Sequence, residues 1–356
     1  MTSASPTTSF DYAGRIERAR EALARRGAAG LALTPGPNLR YLTGVAAGPS
    51  ERLLLLLAPA QGPRILIAPA FEGERLAGEA RVELELDLWD EGQDPFARAA
   101  GRISSGAWLI GPETPFGVAA RLQERGARLL SGEDLLGALR RRKDAEEIDG
   151  LARAQALTRQ ALDHARRSLE TGVCERELAA EIVRWLTAAG AGGWALVQFG
   201  EGSALPHGAA GSRLLERESA VLVDLGAIVE GYHGDLTRSW WHGERAAAAY
   251  LEAQRAVEEA HARAAALARP GARAGDLDRA AREHLAAGDL ARWFTHRLGH
   301  GIGLEIHEPP YLVGESAVTL EAGDVFTIEP GVYLPGRFGV RHEDVYALVG
   351  DGFRRL

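Results

Sequence analysis

The amino-acid sequence predicts two domains: an α/β unit over residues 1–142 and an α+β unit over residues 143–356. Three observations point to this division. The chain has 356 residues, more than one ordinary core accommodates. Through its first part, short apolar runs alternate with helical patterns, the mark of an α/β layer arrangement. After the charged stretch RRRKDAEE at 140–147, helices come first and strands later, without βαβ alternation.

In the first unit, residues 11–26 place apolar side chains at helical spacing and stop at Gly27. GLALT, RLLLLLA, RILIAP, VELELDLW and AWLIG read as strands, with helices expected near 71–79, 94–103, 116–126 and 132–142. In the second unit, Ile148, Leu151, Ala152, Gln155, Ala156 and Leu162 form the stripe of a long amphipathic helix. A second helix spans about 175–189 and ends in GAGG. From Val221 the pattern is mostly β, interrupted by helices near 245–268 and 276–287.

Composition removes several function classes. A formal charge of −8, with no basic stripe among aromatics, argues against nucleic-acid binding. Arg140-Arg141-Arg142-Lys143 is short and followed by acids, so it reads as a linker or helix start. The apolar run Leu53 to Leu57 is far shorter than the ~20 residues a bilayer requires and reads as a buried strand; no membrane partner is expected. MTSASPTTSF lacks the charged and apolar regions of a secretory signal. The single cysteine, Cys174, excludes an intrachain disulfide framework and fits a reducing, cytoplasmic setting.

The chemistry concentrates in the last third. Asp224, Asp235, His300, Glu329 and Glu343 stand in the contexts VLVDLG, YHGDLTR, LGHGIGLEIHE, FTIEPGVY and GVRHED. Four carboxylates and one imidazole, with no sulfur, form a hard donor set suited to a pair of divalent metals. Register arithmetic gives four of them a reason to meet. If Glu230-Gly231 is a two-residue turn, Val229 pairs with Tyr232 and Asp224 faces Thr237, with Asp235 diagonal on the same sheet face. A reversal centred on Gly336 sets Glu329 opposite Glu343, the ladder being interrupted near Pro330-Gly331. Taken singly, each residue has a bland reading: a turn aspartate, a solvated acidic pair, a loop histidine. Their joint occurrence does not.

These segments resemble the pita-bread metallopeptidases, the family of methionine aminopeptidase, aminopeptidase P and prolidase. The resemblance covers roughly residues 140–356, and GHGIGLEIHEPP with VFTIEPGVYLPGRFGVRHED points to its Xaa-Pro peptidase branch. The first unit looks like the creatinase-type N-terminal domain of that branch, with PNLRYLTG at 37–44 as the best local match. The resemblance implies an α/β creatinase-like domain followed by an α+β pita-bread catalytic domain. It also implies that Asp224, Asp235, His300, Glu329 and Glu343 ligate two divalent ions per chain, of manganese, cobalt or zinc. By the same resemblance His207, His296 and His307 fill the non-ligand histidine positions. Glu329 would double as general base, and Arg341 would bind a substrate carboxylate or hold the metal shell. A homodimer follows only from family habit.

Two departures stand out. His342 occupies a position where the branch generally has an apolar residue, and is expected as a satisfied strand histidine on the face opposite Glu343. Lys143-Asp144 replaces the family's frequent Lys-Ser-Pro, a change expected to affect only the linker. His164, His233, His242, His261 and His284 are expected on helix surfaces or strands. The implied function is hydrolysis of the Xaa-Pro bond of a dipeptide, as in prolidase. The alternatives are an aminopeptidase P acting on longer peptides with proline second, a catalytically silent peptide-binding scaffold, and metal-free hydrolysis of a guanidino compound as in creatinase.

Overall fold

A computed structural model describes residues 10–206 and 208–356, so the polar opening segment and His207 lie outside the description. The chain divides into two units between Arg140 and Arg141, two residues ahead of the expected boundary. The physical reason is that Arg141 already belongs to the second unit: its guanidinium is bidentate on the buried carboxylate of Asp324.

In the first unit, α1 (Tyr12–Arg26) starts on Asp11, whose side chain accepts from Gly14 N–H, and ends on left-handed Gly27. There follow β1 (Gly30–Leu33), α2 (Pro37–Thr43), β2 (Leu55–Pro59), β3 (Ile65–Pro69), α3 (Gly73–Glu79) and β4 (Glu85–Trp89). The unit is completed by α4 (Pro95–Arg102), β5 (Ala107–Ile110), α5 (Phe116–Glu124), β6 (Arg128–Ser131) and α6 (Glu133–Arg141), which runs to the boundary. The strands form one sheet in the order β4-β3-β2-β1-β5-β6. It is mixed, because β2 pairs antiparallel to both β1 and β3 while the outer pairs are parallel. Leu55, Leu57, Ile65, Ile67 and Trp108 fill a core against this sheet. Two elements escaped the sequence reading: PNLRYLT is a helix and RLLS a sixth strand.

The second unit opens with α7 (Ala145–Arg167), started by a reciprocal capping box between Asp144 and Glu147, and α8 (Glu175–Ala188). These helices cover one face of a sheet made of β7 (Gly192–Phe199), β8 (Ser219–Val229), β9 (Tyr232–His233) and β10 (Leu236–His242). Val221, Val223, Leu225 and Ala227 point into that helix layer, so Asp224 faces the opposite way. Next come α9 (Ala248–Ala266) and α10 (Ala274–Ala287), which cover a second sheet. It is built from β11 (Gly299–Gly301), β12 (Glu308–Leu312), β13 (Val325–Ile328), and, after the hairpin β14 (Gly331–Leu334) and β15 (Phe338–Arg341), from β16 (Asp344–Val349) and β17 (Gly352–Arg355). Phe326, Ile328, Phe338, Val340, Tyr346 and Leu348 point into the α9–α10 layer. The same alternation sends Thr327, Glu329, Arg341 and Glu343 to the inner face. Each helix layer thus fixes which side of its sheet is left for the carboxylates.

Lys143 is more than a linker residue. Its ammonium lies 2.6 Å from Glu308 Oε1, with both side chains almost completely buried. It therefore ties the start of α7 to β12.

Candidate active site

The first hairpin has the expected register. Val229 pairs with Tyr232 and Asp224 with Thr237. Glu230 and Gly231 both have positive φ, 50° and 85°, as a tight two-residue hairpin turn requires. Asp235 occupies the break between β9 and β10, and its backbone N–H and C=O are held by the Gln155 side chain from α7. The second hairpin keeps one register on both sides of its interruption: Ile328 pairs with Asp344, and Gly331 with Arg341. Glu329 and Glu343 stand in the gap between those two ladders. His300 comes from β11, flanked by Gly299 and Gly301. A Cβ at either would lie 2.0 Å from Thr327 O or 2.3 Å from Pro309 O, so glycine is what lets β11 approach its neighbours.

These residues line one cavity of about 700 Å³. Ligand atoms of Asp235, His300 and Glu343 lie within 4.8 Å of one another. His300 Nε2 lies 3.3 Å from Glu329 Oε1 and 3.7 Å from Asp235 Oδ2. Its Nδ1 donates to Gly301 O at 3.1 Å, which leaves the Nε2 lone pair aimed at the carboxylates. The His296–His300 helix pair that spacing alone would allow does not form, because His300 is in a strand.

Arg341 is the cation at the centre. It is 4% exposed, and each of its three nitrogens donates: Nε to Thr237 Oγ1, one terminal nitrogen to the Tyr333 hydroxyl and Pro206 O, the other to Asp224 Oδ2. Thr237 in turn donates to Glu343 Oε2 at 2.6 Å. Of the two expected roles for Arg341, holding the ligand shell fits this geometry.

The charge balance explains the titration behaviour. Burial first, then the neighbouring carboxylates, push Asp235 and Glu343 well above the usual carboxylate range. Burial pushes Glu329 up to about 8, opposed by Arg341. Burial lowers His300 to about 3, with His307 adding to the effect. Four acids converge around the buried Arg341, a set that stays ionised only with added positive charge, and the buried Asp224 Oδ1 has no hydrogen-bond partner. Hard, oxygen-rich donors around a single neutral imidazole fit divalent metal ions.

The remaining sequence-derived residues divide. His307 is exposed at the cavity rim, its ring 4.2 Å from that of His300. His296 lines the cavity; its Nδ1 donates to Arg297 O, so its Nε2 accepts from the Tyr333 hydroxyl at 2.9 Å. His207 lies outside the described residues. Sequence reasoning missed Trp194, Leu196, His233 and Tyr333. Trp194 and Leu196 pair with Gly226 and Asp224 from β7, a strand whose glycine-rich start hid it. His233, expected only as a strand residue, also lines the cavity. His261, expected at a helix surface or in a strand, is buried in α9 at 6% exposure.

The model of metallopeptidase family M24 matches residues 149–349, and that of the creatinase/prolidase N-terminal domain matches residues 15–141. The chain is 38% identical over 360 residues to a probable dipeptidase, PepE, of Mycobacterium tuberculosis, spanning 96% of this chain and 93% of that one. A crystal structure of prolidase from Thermococcus sibiricus superposes with a TM-score of 0.92 at 30% identity, covering 98% and 97% of the two chains. Dipeptidase PepE from Mycobacterium ulcerans gives 0.87 at 34% identity, covering 97% and 96%.

Proposed function

The chain belongs to metallopeptidase family M24, and from that premise we propose that it hydrolyses the Xaa-Pro bond of dipeptides, as a prolidase does. The observation that carries the reading is the convergence of Asp224, Asp235, His300, Glu329 and Glu343 on one cavity. We assign them as ligands of two divalent ions, of manganese, cobalt or zinc. Ions bound there supply an acidified water and polarise the scissile carbonyl.

The chain's own groups do the rest. Arg341 and Thr237 fix Asp224 and Glu343 in orientation. Glu329 takes a proton from the attacking water, whose oxygen adds to the carbonyl carbon, and passes it to the leaving prolyl nitrogen as the C–N bond breaks. His307 donates a ring N–H to the carbonyl oxygen as charge develops there. His296, held through Tyr333, lines the proline side, and we propose for His207 the same part in recognising proline. A proline nitrogen has no N–H and its φ is fixed, so a ring-shaped pocket discriminates where a general peptidase site does not.

The buried, unpaired Cys174 supports a cytoplasmic location, and among the described residues no helix is long and apolar enough to cross a membrane. We take the working form to be a homodimer, which light scattering checks. The functional test compares Xaa-Pro with Xaa-Pro-Yaa-Zaa, before and after chelation. Cleavage of the dipeptide alone, abolished by chelator and restored by metal, is expected. Preference for the tetrapeptide would reassign the chain as an aminopeptidase P. Binding without cleavage would make it a scaffold, and activity untouched by chelator would overturn metal catalysis.

A further inference from the structure

Glu343 reaches the cavity from the two-residue gap between β15 and β16, while its two neighbours, His342 and Asp344, turn to the other side. There they meet His261 of α9. His261 Nε2 is 3.6 Å and His342 Nε2 3.4 Å from the same oxygen, Asp344 Oδ2. The two imidazole rings cross edge to face with centroids 4.6 Å apart. His261 and Asp344 are 6% and 4% exposed, and His261 Nε2 is buried with no hydrogen-bond partner. A buried ring nitrogen left unsatisfied is costly unless something occupies its lone pair.

The separations identify what would. At 3.6 Å a side-chain hydrogen bond is not formed. Bonds of 2.0–2.1 Å to a tetrahedral ion place ligand atoms about 3.3–3.4 Å apart, close to both separations observed here. The other carboxylate oxygen, Asp344 Oδ1, accepts from Arg238 at 2.7 Å, the kind of outer hydrogen bond that orients a ligating carboxylate. Arg355 is the competing cation, 3.4 Å from Oδ2; with its side chain 62% exposed, it has solvent to swing into.

We propose that His261, His342 and Asp344 form a separate metal site, outside the catalytic cavity, which takes one divalent transition-metal ion of the zinc class with water in the fourth position. Two imidazoles and one carboxylate select zinc, cobalt or nickel over magnesium or calcium. The site crosslinks α9 to the segment between β15 and β16 that presents Glu343.

Chelated protein is reloaded with zinc or cobalt and the ion counted per chain by mass spectrometry, for the wild type and His342→Val. The wild type should hold one equivalent more than the variant. Asp235→Asn, altered only in the catalytic cavity, should keep the visible absorption of four-coordinate cobalt. Zinc-soaked wild-type crystals should show anomalous density between His261 and His342, a readout that does not depend on how the variants fold. Equal ion counts in wild type and His342→Val, or anomalous density confined to the catalytic cavity, would overturn the site.

Discussion

At the residue scale, Arg341 does what no lysine can. Its planar fork reaches Thr237, Tyr333 and Asp224 at once, and through Thr237 it sets Glu343 as well. A lysine keeps the charge but offers a single ammonium on a flexible stem. Arg341→Lys should therefore lower kcat/KM or metal affinity about 10–100-fold, the usual effect of removing an outer hydrogen bond from a metal site. Metal content and turnover measured together tell the two apart, and unchanged values for both would remove Arg341 from the machinery. His307 sits at the other extreme, exposed at the rim and stacked edge-on to His300. If it assists the departing charge, His307→Ala should cut turnover by about 10²–10⁴-fold with metal content intact. A variant that loses metal instead would show His307 to be a ligand.

At the element scale, the join between the charged stretch and α7 rests on Lys143, the one lysine of the chain, paired in the interior with Glu308. Lys143→Met removes the cation and leaves a carboxylate in low dielectric, which costs about 3–5 kcal/mol when one partner of a buried pair is lost. Chemical denaturation should show that loss, and Lys143→Met with Glu308→Gln should recover part of it; a single variant as stable as wild type would dismiss the anchor. This pair was not legible in the sequence, because a lysine in RRRKDAEE has every reason to be solvated. The hairpins were legible for the opposite reason. Their registers follow from turn chemistry at Glu230-Gly231 and Gly336 and from the period of two, both local. Strand β7 failed on the same local evidence: GGWALVQF begins with two glycines, and only its pairing with β8 along eight residues makes it a strand. Tyr333 and Trp194 went unseen because their contacts with His296 and Gly226 join residues more than thirty positions apart.

At the scale of the whole molecule, the catalytic cavity concentrates protonatable charge, and stability should report it. Asp235, Glu329 and Glu343 have folded pKa values raised above 3.8 and 4.5, Glu329 to about 8, so the metal-free folded chain holds protons that the unfolded chain has released. Their contribution is complete below the unfolded values and is lost as pH rises through the folded ones. His300 and His261, lowered by burial to about 3 from 6.5, act in the reverse sense: the unfolded chain binds the extra protons, and stability rises with pH until about 6.5. The two effects oppose each other below that point, and between about pH 6.5 and 8 the contribution of these carboxyls runs unopposed by His300 and His261. Stripped of metal, the protein should lose thermal stability across that window. Divalent ions bind the ionised ligands, releasing protons, and add about 2.7 kcal/mol at a concentration of a hundred times Kd. The gap in Tm between loaded and stripped protein should accordingly widen from pH 6.5 to 8, read by calorimetry at matched ionic strength. Parallel curves for the two forms would mean that the buried carboxyls are not what the metal neutralises.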